Sequence, residues 1–276
     1  MKTNDHIIHN RAGQEMVVHV YPADNAKAPL ALIAHGISGS VESPVAQRLS
    51  AVFRRMGHRV IVPDMRNNIN DSGGSIDDFT FEQHASDFAD AAEWVRTTWA
   101  NRPTVIAGYS IGAYAAVRLA ADAPLEYQKL VLVAPVVSGD FYLQVLEKNL
   151  PQGWAEWKRS GIATFGNDRN MLFEMKFPDN ASWRQASALS DAHKISMPTV
   201  VINADKDFLV PPEHMAALRH HLPRATMSTA QGADHMFRDM AGKSHPGLEQ
   251  ALRSFLKDHG MQAYRNLRSA RTFGIG

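Results

Sequence analysis

Short apolar runs alternate with amphipathic stretches along this chain of 276 residues. The runs predict strands at Met16–Tyr21, Leu30–His35, Arg59–Pro63, Thr104–Ala107, Leu130–Ala134, Thr199–Asn203 and Ala225–Thr229. Several are near-continuous Val, Ile and Leu, the pattern of strands covered by helices on both faces. Helical patterns fill the intervals. Ser43-Pro44 offers an N-cap and a first-turn proline for a helix over Val45–Met56. Thr80 and Gln83 have capping-box spacing ahead of a helix that runs to about Trp99. Small residues predict a third helix over Ala113–Ala121, a fourth starts near Pro212, and a fifth spans Gly247–Lys257. This alternation predicts an α/β protein: a mostly parallel twisted sheet with helices on both faces.

The rhythm fails once. Between about Gly139 and Ser196 no strand repeats, and the residues read as loops and short helices. Because a strand pattern resumes at once, residues 139–195 are read as a small helical cap inserted into a core of residues 1–138 and 196–276. Aromatic side chains crowd this insertion. They serve either as anchors onto the sheet or as the lining of an apolar pocket beneath it. Trp154, Trp157 and Phe173 are the candidates for substrate contact. After Gly260 come Arg265, Arg268 and Arg271 without an acid, which reads as a frayed basic end.

Composition removes whole classes of chemistry. The 29 basic and 28 acidic side chains leave a formal net charge of +1, no basis for a nucleic-acid partner. With no cysteine, disulfides, thiolate nucleophiles and Cys-bound metals are excluded. No run approaches the roughly 18 apolar residues of a membrane span. The polar opening MKTNDHIIHN lacks the apolar run of a signal peptide, so a cytoplasmic location is expected.

The strongest chemical signal is Gly108-Tyr109-Ser110-Ile111-Gly112, directly after one predicted strand and before a small-residue helix. Strand, Gly-x-Ser-x-Gly, helix is the order of a nucleophile elbow. The glycines let strand and helix approach closely enough to make the tight, strained turn that lifts the serine hydroxyl out of the sheet. A hydroxyl is a poor nucleophile near pH 7 and needs a base, itself oriented by an acid. In an elbow fold these follow in the order Ser, Asp or Glu, His. Asp207 lies deep in the loop after the strand Thr199–Asn203 and is favoured as the acid. Its neighbour Asp205 reads as a turn-stabilising side chain, and Asp140 is an outside candidate. Gly232-Ala233-Asp234-His235 follows the last strand, so His235 is the expected base and Asp234 a loop carboxylate. His84, His214, His220 and His221 fall in helices predicted to be exposed and read as solvated.

Acyl transfer also needs donors for the developing oxyanion. The Ile111 N–H, just after the nucleophile, is one. The loop His35-Gly36-Ile37-Ser38-Gly39, after an early strand, offers the Ile37 N–H as the second, with His35 bracing the loop. Tyr109 and Met236, beside Ser110 and His235, are further candidate substrate contacts. Gly242-Lys243-Ser244 copies the end of a phosphate-binding loop, but Phe237 stands where its first glycine is required. No His-Glu-x-x-His or comparable set argues for a metal, and no cofactor is expected.

In order, His35-Gly36, Gly108–Gly112, Asp207 before Val210-Pro211-Pro212, and Gly232–His235 resemble the α/β-hydrolase superfamily over all but the cap and tail. The stretch Ser72–Thr80 is similar to acyl-ACP thioesterases of bacterial bioluminescence operons, and also resembles cinnamoyl or feruloyl esterases, as does Gly232–His235. The first likeness implies a long acyl thioester, possibly carrier-bound, and the second an aromatic ester. Where such chains usually have glycines after the third strand, this one has Asn67, Asn68 and Asn70, which tolerate left-handed backbone. The expectation is a serine esterase or thioesterase acting on a small-molecule substrate with an apolar acid group. Amide cleavage, acyl transfer and a non-catalytic binding module on the same fold stay open.

Overall fold

Strands β1 (Asn4–His9), β2 (Glu15–Tyr21), β3 (Leu30–Ala34), β4 (Arg59–Pro63), β5 (Thr104–Tyr109) and β6 (Lys129–Val133) run through the first half of the chain. Strands β7 (Ile162–Gly166) and β8 (Leu172–Lys176) form a separate antiparallel hairpin, and β9 (Thr199–Ala204) and β10 (Thr226–Ala230) return to the main sheet. That sheet has the order β1-β2-β4-β3-β5-β6-β9-β10. All neighbours from β4 to β10 in this order are parallel, while β2 runs antiparallel to both β1 and β4. The computed structural model describes residues 3–178 and 181–258, so the predicted basic end lies outside the described residues.

Helices α1 (Pro44–Arg55) and α9 (Gly247–Asp258) cover one face of the sheet. Helices α2 (Phe81–Thr98), α3 (Gly112–Asp122) and α8 (Pro212–His221) cover the other. Strand residues alternate between these layers as the pleat requires. Leu30, Leu32 and Ala34 of β3 face α2 and α3, whereas Ala31 and Ile33 face α1 and α9. Large side chains such as Phe53, Phe88 and Tyr114 are fully buried. Each buried aliphatic or phenyl group contributes roughly 1.5–3 kcal/mol.

The predicted strands are observed within one or two residues. Thr80 caps α2 as its spacing predicts, its hydroxyl accepting the Gln83 N–H at 3.1 Å. Ser43 does not do the same for α1; its hydroxyl instead donates to Asp168 at 3.1 Å, across 125 residues of sequence. Asn67 adopts φ +57°, the left-handed conformation expected of the asparagines here, and Asn68 and Asn70 do not.

Between β6 and β9 lie α4 (Gly139–Asn149), α5 (Pro151–Ser160), the β7–β8 hairpin, α6 (Ala181–Gln185) and α7 (Leu189–Ala192). The insertion therefore carries a β-hairpin beside its short helices, where the sequence pattern predicts a helical cap without strands. Ile162–Gly166 and Leu172–Lys176 alternate exposed positions with partly buried ones, Met175 being buried, about a turn in which Asn170 takes φ +59°. Trp183 ties the insertion to the core, its indole N–H donating to the Phe79 carbonyl at 3.1 Å and its ring meeting Phe81 edge-on.

Candidate active site

The turn from β5 into α3 holds Ser110 at φ +54°, a conformation uncommon for a residue with a side chain. Crowding at its flanks explains both glycines. A Cβ on Gly108 would lie 2.3 Å from the Gly112 carbonyl, and one on Gly112 would lie 2.4 Å from the carbonyls of Ala34 and His35. The turn is also fixed by backbone bonds, Ser110 N–H to Val133 O at 2.9 Å and Val136 N–H to Ser110 O at 3.0 Å. Ser110 is 6% exposed.

Two loops from the same end of the sheet meet it. After β10, His235 places Nε2 at 3.1 Å from the Ser110 hydroxyl oxygen. After β9, Asp207 Oδ2 stands 2.7 Å from Nδ1 of the same ring. A carboxylate only accepts, so Nδ1 carries the proton and Nε2 offers its lone pair to the serine hydroxyl. The other carboxylate oxygen accepts the N–H groups of Leu209 and Val210 at 2.8 and 3.1 Å. The Asp207 side chain has no exposed surface, and that of His235 is 11% exposed. Asp205 accepts the Gly232 N–H and so links the two loops, Asp234 pairs with Arg238, and Asp140 pairs with Arg184 on the cap.

Gly36 abuts Ser110: a Cβ there would lie 3.2 Å from Ser110 Cβ. Among the described residues, neither the Ile37 nor the Ile111 N–H meets an acceptor. His35 is fully buried, with Nδ1 donating to the Gly36 carbonyl at 2.7 Å and Nε2 accepting from the Met65 N–H at 3.1 Å. Burial holds its pKa below the usual histidine value.

Two histidines depart from expectation. His84 and His214 are buried, not solvated, because each lies on the inward face of its helix. His84 Nε2 donates to the His35 carbonyl at 3.0 Å, and burial pushes its pKa down to about 3. His214 accepts the Val137 N–H at 3.3 Å, and burial pushes it down to about 4. Of the helical histidines, His220 is exposed and His221 partly so.

The candidate substrate contacts divide into three groups. Tyr109 is buried with its ring 5.3 Å from that of His235 and its hydroxyl donating to the His235 carbonyl at 3.4 Å, so it packs under the imidazole. Met236 is half-buried beside His235. Trp154 and Trp157 form an aromatic group inside the cap with Phe177 and Phe165, and Phe165 stacks on the half-buried Phe173. Ile37 and Leu209, on the two loops at the serine, pack against the same continuous apolar layer as Tyr142, Phe165 and Phe173.

Elsewhere, His19, Asp64 and Asp71 bring ligand-type atoms within 4.8 Å of one another, a grouping the sequence spacing does not reveal. Both ring nitrogens of His19 are taken, by Asp5 at 2.8 Å and Asp64 at 3.2 Å, so the group reads as an ion-pair network. Among the described residues, no helix is long and apolar enough to cross a membrane.

Comparison with known proteins agrees with this architecture. The family model of the alpha/beta hydrolase fold matches residues 29–182, more than half of the chain, and the chain belongs to that family. The match includes Ser110 and ends before Asp207 and His235. Est1E from Butyrivibrio proteoclasticus, solved with ferulic acid bound, superposes with a TM-score of 0.73 at 15% identity, covering 92% of this chain and 98% of that one. The Penicillium sp. sh18 alpha/beta hydrolase GrgF gives 0.71 at 15% identity, covering 94% and 99%. The Pyrococcus furiosus esterase Pf2001 gives 0.66 at 15% identity, covering 93% and 90%. At these identities the likeness is one of fold. No curated protein sequence matches the chain.

Proposed function

We propose that this chain is a serine hydrolase of carboxylic esters or thioesters whose acid part is apolar, either fatty acyl or aryl. The observation that carries the reading is the unbroken relay from Ser110 Oγ through His235 to Asp207, at 3.1 and 2.7 Å. In the proposed reaction Ser110 Oγ bonds to the substrate carbonyl carbon while His235 Nε2 takes the hydroxyl proton. The tetrahedral oxyanion accepts the Ile37 and Ile111 N–H groups. Its collapse breaks the bond to the alcohol or thiol, which leaves with the proton from His235. Water, deprotonated by His235, then attacks the acyl-serine, and the free acid departs as Ser110 regains its proton.

The apolar acid group is supported by the side chains around the serine. Ile37 and Leu209, on the loops at the serine, and Tyr142, Phe165 and Phe173 of the insertion all pack against one apolar cluster. The ferulic acid bound to Est1E supports the aryl option. In this reading residues 139–195 form the substrate-selecting cap on a catalytic core of residues 1–138 and 196–276. The test is covalent labelling. An alkyl fluorophosphonate is expected to modify the wild-type protein and to leave Ser110→Ala unmodified; equal labelling of both ends the proposal.

A further inference from the structure

The turn of the β7–β8 hairpin, Asn167–Asn170, is where the cap touches the loop that carries Ile37. Asn167 is buried, and its Nδ2 donates to the Ser38 carbonyl at 3.3 Å. Its Oδ1 is occupied within the turn, accepting the N–H groups of Arg169 and Met171 at 3.0 Å each. Asp168 accepts the Ser43 hydroxyl at 3.1 Å, and Arg169 pairs with Glu42 at 3.3 Å and donates to the Ile69 carbonyl. The contacts that leave the turn land on the core segments after β3 and β4.

The receiving loop is under conformational stress. Ser38 takes φ +55°, uncommon for a residue with a side chain, and its hydroxyl donates back to the Ile37 carbonyl at 2.6 Å. The Ile37 carbonyl is thus fixed by the Ser38 hydroxyl, and the Ser38 carbonyl by Asn167. The Ile37 N–H, which faces no acceptor among the described residues, shares its peptide plane with the Gly36 carbonyl, which accepts His35 Nδ1 at 2.7 Å and the Gly39 N–H at 3.1 Å. The bonds at the Ile37 and Ser38 carbonyls hold the next two peptide planes, so the left-handed backbone at Ser38 cannot relax toward commoner angles and pull on the plane of that donor.

We propose that Asn167 is a positioning residue for the oxyanion hole: from the cap, its carboxamide holds the Ile37–Ser38 turn in the geometry that aims the Ile37 N–H at the reacting carbonyl. The inference rests on the hydrolase reading above. Losing one oxyanion donor outright typically costs about 10²–10³ in rate, and a misaimed donor costs part of that. Asn167 touches no substrate in this role, so it acts on the transition state and not on binding.

The chemistry of the side chain supplies the test. Asn167→Asp keeps the acceptor that closes the hairpin turn and removes the N–H that reaches Ser38; Asn167→Ala removes both. With a p-nitrophenyl ester, each variant is expected to lose kcat by roughly tenfold or more while KM stays within about threefold. The inhibition constant of a trifluoromethyl ketone, which forms a tetrahedral oxyanion on the serine, should rise in parallel with the loss of kcat/KM. Inhibition by the free carboxylic acid product should hold steady. Thermal unfolding of the two variants guards against a trivial cause. If Asn167→Asp unfolds near the wild-type temperature with kcat within twofold, or if kcat falls only in step with folded protein, the positioning role is wrong. Those results leave the hydrolase reading intact when the fluorophosphonate still labels Ser110. Equal labelling of wild type and Ser110→Ala would instead remove both together.

Discussion

Arg48 grips both carboxylate oxygens of Glu249, at 2.6 and 2.7 Å, and so joins α1 to α9. The same guanidinium donates to the carbonyls of Phe237 at 2.8 Å, His245 at 2.5 Å and Met236 at 3.4 Å. Phe237 is fully buried at φ +55°. The residue before Met236 is His235, so a side chain on the far face of the sheet holds the loop that presents the imidazole.

Arg48→Met should therefore affect both stability and turnover. It leaves a partly buried carboxylate without its guanidinium and takes one donor from each of three carbonyls, of which Phe237 keeps the His245 N–H, a loss of about 3–5 kcal/mol by analogy with half-broken buried pairs. In a domain of this size the unfolding temperature should fall by roughly 10 °C. Residual activity at low temperature should show a larger change in kcat than in KM. Arg48→Lys should recover only part of either, since an ammonium cannot make the forked contact. A calorimetric scan with unchanged midpoint would show that the loop is held by other means.

The choice of acid is tested by a pair of substitutions. Asp207→Asn should lower kcat for a p-nitrophenyl ester by about 10³ or more, because an amide no longer fixes the ring tautomer. Asp205→Asn should cost far less, since Asp205 meets the Gly232 N–H and the Lys206 ammonium but not the imidazole. The reverse ranking would transfer the role to Asp205.

His19 gives the fold a pH dependence of definite sign. Burial disfavours its protonation, but hydrogen bonds and charge from Asp64 and Asp5 outweigh this and raise its pKa to about 9. In the unfolded chain an imidazole titrates near 6.5. The contribution of the pair is therefore complete below about pH 6.5 and is lost as the pH rises through 9. With Asp5 half-exposed, about 1–2 kcal/mol is a reasonable size. Urea unfolding of wild type and His19→Gln should differ by this amount at pH 6 and converge near pH 10. A gap independent of pH would remove the ion pair from the account.

The proposed acyl preference rests on the apolar cluster shared by the serine loops and the insertion. Octanoyl and cinnamoyl esters should be hydrolysed with higher kcat/KM than acetyl esters. Much faster turnover of acetyl esters across a matched p-nitrophenyl series would contradict the pocket argument.

The parallel core is legible in the chain because strands covered on both faces need continuous apolar runs, and Leu30–Ala34 and Lys129–Val133 are buried throughout. The elbow is legible because crowding at Gly108 and Gly112 forbids side chains there. Strand β1 is not: it is an edge strand with one buried residue in six, and its Asn, Asp and His positions carry no apolar alternation. The β7–β8 hairpin was hidden for a related reason. Of its inward positions only Met175 is buried, and its turn is built by Asn167 and Asn170 without a glycine. The buried histidines escape because a histidine can sit on an inward face once both nitrogens find partners or tolerate neutrality. Arg48 escapes because its partners lie about 190 to 200 positions away, on α9 and on the loop before it, whose path sequence periodicity does not describe.

Strands β6 and β9, which bracket the insertion, are direct hydrogen-bonded neighbours, with Val133 opposite Ile202. The segment thus departs and re-enters the molecule through adjacent doorways. Lengthening, shortening or replacing it requires no rethreading of any strand, so on the proposed reading a change of substrate range calls for exchange of this one module. Such grafts would have to carry along a counterpart of the hairpin contact at Ser38, or arrive with the carbonyl-facing amide misdirected.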